Sequence, residues 1–200
     1  MDLTGLVDEG VYAQLHNLAV STDKVIVVSE IGLDFMGNMP DRAMQYQAFR
    51  EQIRLARELQ LPVVFHSREA RDQVLRVLRD ERAYEVGGAM HYFQGDMRTA
   101  QEAINLGFYI SLAKPLLRLQ HLQEVVTKLP PESIVLETDS APQPFKAKRE
   151  NWTEPRHLKD ISEKLAELQG IDANEVRRIT TENFFKMLGP RGDSLRSHLM

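Results

Sequence analysis

The stretch VIVVSE, residues 25–30, is the first of four short apolar runs that decide the fold of this chain. The others are PVVFH at residues 62–66, GAMH at residues 88–91 and SIVLETD at residues 133–139. All four are short, rich in β-branched or aromatic residues and almost continuously apolar. That pattern is typical of strands buried on both faces of a parallel sheet.

Stretches with helical periodicity lie between these runs. In residues 44–59 apolar side chains recur every three to four positions and charged side chains fill the opposite face. Residues 71–78 and 97–104 repeat the pattern, and residues 8–20 predict an amphipathic helix before the first run. FYIS, residues 108–111, adds a fifth candidate strand. The chain is therefore predicted to be an α/β protein built from successive βα units with right-handed crossovers.

Each of the four runs ends in an ionisable residue of a type that binds metals: Glu30, His66, His91 and Asp139. Parallel α/β folds collect their chemistry at the carboxyl ends of strands. A lone histidine there is more often structural, but two histidines and two carboxylates at buried strand ends call for partners. A single metal site and a set of independently hydrogen-bonded residues are equally weighted alternatives on this pattern alone.

Composition limits the classes of protein without identifying one. The chain has 200 residues, 25 basic and 29 acidic side chains, and a formal net charge of −4. Such a length can bury one sizeable core, and the net charge gives no global basic field for nucleic acid. Because the chain contains no Cys, any metal site must use histidine and carboxylate ligands. The sequence contains no signal peptide and no 18-residue apolar span, so we expect a cytoplasmic protein without a membrane partner.

The residues around the four runs resemble a known family. EIGLD at 30–34, PVVFHSR at 62–68, HYFQG at 91–95 and LETDS at 136–140 resemble, in order and spacing, the signatures of the TatD family of metal-dependent DNases. TTENFFKMLG at 180–189 resembles the C-terminal helix of that family. The resemblance implies a (β/α)8 TIM barrel of the amidohydrolase superfamily and a divalent-metal hydrolase.

The resemblance also implies residue roles. Glu30 is similar to a carboxylate that bridges two metals, and His66 and His91 are similar to imidazole ligands of the second metal. Asp139 is similar to a ligand of the first metal that also handles the proton, so Glu30 and Asp139 are the implied catalytic residues. Arg68 resembles a phosphate-contacting residue, with an exposed ion pair as an equally weighted alternative. The implied cofactors are divalent ions (Zn, Mg or Mn), and the implied partner is DNA.

The departures from the family pattern concern the N-terminal portion. The family begins with a His-x-His pair and carries a later Gly-x-His-Pro segment, and this sequence has neither. The five candidate strands match the last five βα units of a barrel, strands four to eight. We therefore expect a single hydrolase domain over residues 1–200 that is N-terminally incomplete, with residues 190–200 as a polar C-terminal tail.

The predicted function is hydrolysis of nucleic-acid phosphodiester bonds by an exonuclease-like DNase, impaired by the lack of the His-x-His motif. Arg71, Lys114 and the KAKR run at 146–149 are further candidates for phosphate binding, as is the Pro-rich loop at 142–146. Two alternatives are an amidohydrolase-type ester or amide hydrolase, which uses the same activation of water, and a noncatalytic remnant of the fold.

Overall fold

The computed structural model describes residues 9–140 and 152–199. From residue 9 to residue 136 strands and helices alternate as the sequence predicts, and α-helices follow the last described strand. In chain order the main elements are α1 (Glu9–Ser21), β1 (Val28–Asp34), α2 (Arg42–Glu58), β2 (Val63–Arg68), α3 (Arg71–Asp80), β3 (Gly88–Met90), α4 (Met97–Asn105), β4 (Phe108–Leu112), α5 (Gln120–Val126), β5 (Ile134–Leu136), α6 (Leu158–Gln169), α7 (Ala173–Leu188) and α8 (Pro190–Leu199).

The described strands form one sheet of five, in the order β1-β2-β3-β4-β5, and every neighbouring pair is parallel. The prediction of a parallel α/β fold is therefore confirmed. Because sequence order and spatial order coincide, each helical connection carries the chain to the next position in the sheet. Within the described chain, β1 and β5 are the two edges of this sheet.

The first strand differs from its predicted bounds. β1 begins at Val28, later than the predicted residue 25, and continues to Asp34, beyond Glu30. The added residues still fit a strand, because Ile31 and Leu33 are buried. Glu30 thus lies inside the strand and not at its end.

The face of the sheet that meets the helices carries the larger part of the core. Phe65, Met90, Ile110 and Ile134 occupy equivalent register positions on four neighbouring strands, and all four are buried. Phe65 and Phe108 pack edge to face, with ring centroids 5.2 Å apart. We call this the outer face, since the helices cover it. They contribute the buried residues Phe49, Ile53, Val74, Leu78, Ala100, Ala103, Leu122, Ile161 and Leu165.

The opposite face, here called the inner face, has a separate and smaller apolar cluster. On this face Ala89 and Val135 pack with Met187 and Leu188 from the end of α7 and with Leu195 of α8. The expectation of a polar tail at residues 190–200 does not anticipate this packing, because the structure places Pro190–Leu199 in a helix.

Helix α8 also contacts the segment that leads into β1. The Arg191 guanidinium donates to the carbonyl oxygens of Thr22 at 3.3 Å and Val25 at 2.8 Å. Gly192 permits the close approach of α8 to α7, since a Cβ there would lie 2.3 Å from the Phe185 carbonyl oxygen. Helix α8 therefore links the C-terminal helices to the opposite edge of the sheet.

Local signals explain where several helices begin. Asp41, Asp96 and Asp172 are the N-caps of α2, α4 and α7, and each side chain accepts a hydrogen bond from a first-turn backbone N–H. Buried Asn183 on α7 donates to the carbonyl oxygens of Pro131 and Ile134, both at 2.8 Å, which ties α7 to β5. In the described part of the chain we find no helix long and apolar enough to cross a membrane.

Candidate metal centre

A polar cleft of about 530 Å³ opens at the carboxyl ends of the strands. All four predicted ligands line it, as do Arg68 at the end of β2 and Arg71 at the start of α3. The lining residues are Glu30, His66, Ser67, Arg68, Glu69, Arg71, Met90, His91, Tyr92, Phe93, Gln94 and Asp139. The tertiary structure thus gathers into one cleft side chains that are far apart in the sequence.

Strand alternation explains why the two histidines face this cleft. Val64 and Ala89 are paired across β2 and β3 and point to the inner face. His66 and His91 lie two residues beyond them, and two residues along a strand returns a side chain to the same face. Glu137 likewise lies two residues beyond Val135, which is on the inner face. The upper end of the inner face is therefore polar, while its lower end is the apolar cluster under α8.

An irregularity in β1 accompanies the placement of Glu30. Val28 pairs with Val63 and Ile31 pairs with Phe65, so β1 has one more residue than β2 in this interval. Such bulges redirect side chains and are common beside functional sites. After the bulge, Gly32 opposes His66, where a Cβ would lie 2.0 Å from the His66 carbonyl oxygen. Glycine is therefore required for β1 to remain paired with the strand that carries His66.

His91 lies between two carboxylates. Its Nε2 is 2.8 Å from Glu30 Oε1, and its Nδ1 is 2.6 Å from Glu137 Oε2. The side chain of His91 is 9% exposed, that of Glu137 20% and that of Glu30 42%. Both ring nitrogens thus have an acidic partner in a partly buried setting.

Glu137 was not assigned a role from the sequence, although it is part of the LETDS motif. Besides its contact with His91, its Oε1 accepts a hydrogen bond from the Tyr92 backbone N–H at 2.5 Å. The available signal was the spacing, because Glu137 directly follows a buried strand on the same face as His91. Only the pairing of β3, β4 and β5 brings the two residues together.

His66 has a different environment. Its Nε2 lies 3.4 Å from Asp34 Oδ2, and the same carboxylate oxygen is 3.3 Å from Arg68 Nη1. The other Asp34 oxygen accepts a hydrogen bond from the Met36 backbone N–H at 3.0 Å, so Asp34 also stabilises the loop that follows β1. The Arg68 side chain forms an ion pair with Asp34 and also lines the cleft. It is 57% exposed.

The electrostatics of the cleft separate the two histidines. Burial and the neighbouring Arg68 hold the pKa of His66 below its ordinary value, so this imidazole is neutral and keeps a free electron pair near pH 7. Burial also acts to lower the pKa of His91, but hydrogen bonds with Glu137 and Glu30 outweigh it and raise that pKa to about 10. The hydrogen bond with His91 in turn holds the pKa of Glu30 below its usual range.

Glu30, His91 and Asp139 form a compact ligand group. One donor atom from each lies within 4.8 Å of the other two. Two ligand atoms bound to one cation are roughly 3–4 Å apart for metal–ligand bonds of about 2.0–2.2 Å, so small side-chain movements, together with release of the His91 Nε2 proton, would fit them to an ion. Imidazole with carboxylates suits Zn²⁺ or Mn²⁺, and the carboxylates also suit Mg²⁺. His66 is outside this tight group but lines the same cleft.

The other predicted cationic residues are distributed differently. Arg71 lines the cleft, and its Nη2 donates to the Gln94 carbonyl oxygen at 3.3 Å. Lys114 begins the short 3-10 turn after β4. The KAKR run at 146–149 and the loop at 142–146 lie outside the described residues.

The fold and the cleft together define a parallel α/β protein with a histidine–carboxylate cluster suited to a divalent cation. Comparison with known families gives the finer assignment. The family model for TatD related DNase matches residues 6–189, and the chain belongs to that family. The family resemblance found in the sequence motifs is thus confirmed.

Curated relatives carry names from the same family. The chain is 37% identical over 166 residues to a Bacillus subtilis protein named uncharacterized metal-dependent hydrolase YabD, covering 80% of this chain and 64% of YabD. It is 35% identical over 170 residues to human deoxyribonuclease TATDN3, covering 82% of this chain and 60% of that protein. The chain therefore spans about three fifths of the length of these relatives.

Solved structures agree on the fold. The TatD homologue YjjV of Escherichia coli superposes with a TM-score of 0.81 at 28% identity, over 90% of this chain and 70% of that one. A TatD family hydrolase from Entamoeba histolytica gives a TM-score of 0.82 at 23% identity, over 94% of this chain and 72% of that one. The five-stranded sheet thus corresponds to part of a TatD-type fold.

Proposed function

We propose that this chain is a divalent-metal-dependent hydrolase that cleaves nucleic-acid phosphodiester bonds. The observation that carries the proposal is the ligand group of Glu30, His91 and Asp139 in a cleft that His66 and Arg68 also line. A divalent cation held by these residues would supply Lewis acidity for activating water and for stabilising charge on phosphorus. The names of YabD and TATDN3 support both parts of the proposal, the metal and the DNA.

The residues of the cleft have separate tasks in this reaction. The Arg68 guanidinium, largely exposed at the rim, binds a phosphate oxygen of the substrate and orients the ester. The Asp139 carboxylate takes the proton of the attacking water. Glu30 and His91 hold the cation together with Asp139, and His66 supplies a neutral imidazole to the same cleft.

We also infer that the five strands correspond to strands four to eight of the TatD barrel. The order of the motifs supports this assignment, as does the share of the relatives' length that the chain spans. The sequence contains no His-x-His pair, and among residues 9–140 and 152–199 the close ligands are the group of Glu30, His91 and Asp139. We therefore expect slower cleavage than an enzyme with two complete metal sites would give.

Metal analysis and a digestion assay test the proposal. We expect about one Zn²⁺ or Mn²⁺ ion per chain, and Mg²⁺- or Mn²⁺-dependent release of nucleotides from single-stranded DNA. His91→Ala should lose both metal binding and DNA cleavage, because it leaves only the two carboxylates of the ligand group, Glu30 and Asp139. His121→Ala is the matched control, since His121 lies exposed on α5, away from the cleft.

The assay also separates the alternatives. Metal binding without cleavage of DNA, but with hydrolysis of a carboxylic ester or amide, would transfer the proposal to another substrate class. A protein that binds metal and hydrolyses none of these substrates would be a noncatalytic form of the fold. Full metal content and activity in His91→Ala would contradict the assignment of the site.

A further inference from the structure

Glu137 contacts two consecutive residues at the end of β3. Its Oε2 is 2.6 Å from His91 Nδ1, and its Oε1 accepts from the Tyr92 backbone N–H at 2.5 Å. Each oxygen of the carboxylate therefore has its own partner. In the described part of the chain, Glu137 is not among the residues lining the cleft, and it is not a member of the tight ligand group.

The two nitrogens of the His91 ring face different surroundings. Nε2 points to Glu30, which belongs to the ligand group with Asp139, whereas Nδ1 points to Glu137. Glu30 is the more exposed of the two carboxylates, with 42% of its side chain accessible against 20% for Glu137. The Nε2 side is thus the side that opens to the cleft and to a cation.

The backbone that carries the Glu137 carboxylate is held in place by the neighbouring strand. Glu137 directly follows β5, and its backbone N–H donates to the Leu112 carbonyl oxygen at 3.0 Å, which continues the pairing with β4. Its partner Tyr92 has a left-handed backbone, with φ of +49°, a conformation that is unfavourable for a residue with a bulky side chain. The bond to the Tyr92 N–H supports this turn, which follows His91 directly.

We propose that Glu137 is the positioning residue of the metal centre, holding the Nδ1 proton and the ring orientation of His91 so that Nε2 faces the cation. This inference rests on the proposed function in that it assigns a cation to the cleft. Metal-binding histidines commonly donate their second N–H to a carboxylate, and loss of such a partner typically weakens metal affinity 10- to 100-fold. Glu137 acts through His91 and through the backbone that carries it.

Calorimetric titration with Zn²⁺ or Mn²⁺ alone is the first test, on the whole chain and three variants. Glu137→Ala should bind the cation about 10- to 100-fold more weakly. Glu137→Gln should lose less, because its amide oxygen can still accept one of the two hydrogen bonds. Glu132→Gln is the control, since it removes the same charge from an exposed position before β5 and outside the cleft, and it should change the affinity by less than about twofold.

Two further measurements distinguish positioning from general loss of structure. In nitrogen-15 spectra of the imidazole, the metal-bound chain should carry the His91 proton on Nδ1, and Glu137→Ala should show a mixture of ring states. In the metal-free chain, exchange of the Tyr92 amide should be faster in Glu137→Ala by about tenfold or more, while core amides keep their protection.

The outcomes separate this inference from the proposed function. If the unaltered chain binds no cation, the proposed function fails, and the Tyr92 amide still tests whether Glu137 holds the turn. If the unaltered chain binds the cation and Glu137→Ala binds it equally well, the positioning role is overturned. Unchanged Tyr92 exchange in the metal-free Glu137→Ala chain overturns it as well.

Discussion

The outer and inner faces of the sheet are packed in different ways although the same five strands build both. The outer face meets helices that alternate with the strands in sequence, and its cluster includes fully buried side chains on four neighbouring strands. The buried part of the inner cluster is Ala89, Val135, Met187 and Leu188, and its cover comes from the C-terminal helices. The βα units therefore stabilise the outer face locally, whereas the inner face depends on a distant segment of the chain.

The same difference applies along the inner face. Its lower end is apolar and packs with the end of α7 and with Leu195 of α8, while its upper end carries His66, His91 and Glu137 beside an open cleft. An open, polar upper end suits a binding site, because a cation and a substrate must reach it. The following predictions test how far the two faces differ.

The largest expected effect comes from two neighbouring residues of β5. Ile134→Ala, on the outer face, should lower the free energy of unfolding by about 3–4 kcal/mol, because the residue is fully buried in a packed core. Val135→Ala, on the inner face, removes fewer atoms from a smaller cluster and should cost about 1–2 kcal/mol. Urea denaturation measures both values, and equal costs would contradict the proposed difference between the faces.

A glycine in α8 tests how closely that helix packs against α7, whose end contacts the inner face. Alanine normally stabilises a helix interior relative to glycine by about 1 kcal/mol. Gly192→Ala should instead destabilise the protein by about 1–3 kcal/mol, because its Cβ would lie 2.3 Å from the Phe185 carbonyl oxygen. Gly37→Ala is the control, since a Cβ at Gly37 meets no heavy atom within 4 Å. Thermal unfolding with a hydrophobic dye would detect exposure of the inner face, and an increase in stability for Gly192→Ala would count against docking of α8.

An ion-pair network on the helical layer gives a pH-dependent test of the outer side. Glu81 pairs with Arg54 at 2.8 Å and with Arg50 at 2.5 Å, and the hydrogen bond with Arg54 is the main cause that holds the pKa of Glu81 below its ordinary value. Its contribution to stability is therefore complete above that ordinary value and is lost as the pH falls through the lowered pKa.

Glu81→Gln should consequently cost about 1 kcal/mol at pH 7, a value reduced by the exposure of Arg54. The difference from the unaltered protein should shrink toward pH 3. Urea titrations at both pH values measure it. A difference that grew as the pH fell would mean that the network is not the source of the effect.

The smallest expected effect is on the outward side of α1. Leu18 is 58% exposed, so Leu18→Ser should change the free energy of unfolding by no more than about 0.5 kcal/mol. Ala19, the next residue, is 5% exposed, and Ala19→Ser should cost more because it buries a hydroxyl. A large effect at Leu18 would show that this side of α1 is covered in solution.

The sequence predicts the outer layer well because its signals are local. The predicted helix at 44–59 is α2 (Arg42–Glu58), and the predicted strand at 108–111 is β4 (Phe108–Leu112). In both elements, the periodicity of the apolar side chains and the residues that end the element are properties of the segment itself. The bounds of β1 differ from the prediction because they depend on pairing with β2. That pairing includes the bulge at 29–30.

The candidate site divides in the same way. Residue type and strand position were enough to single out Glu30, His66, His91 and Asp139, all of which line one cleft. They could not indicate that Glu30, His91 and Asp139 form the tight group while His66 turns toward Asp34. That distinction depends on side-chain directions fixed by neighbouring strands.

Residue types in a fixed order were sufficient to predict the alternation of strands and helices, the absence of thiolate ligands and the family of the chain. The packing of the end of α7 and of Leu195 on the inner face, and the contact of Glu137 with His91, follow only from the folded chain. Both contacts join segments far apart in the chain, and their free energy arises when the folded sheet brings them together. A local sequence pattern cannot predict such a contact, because the two residues come close together only after the strands between them have paired.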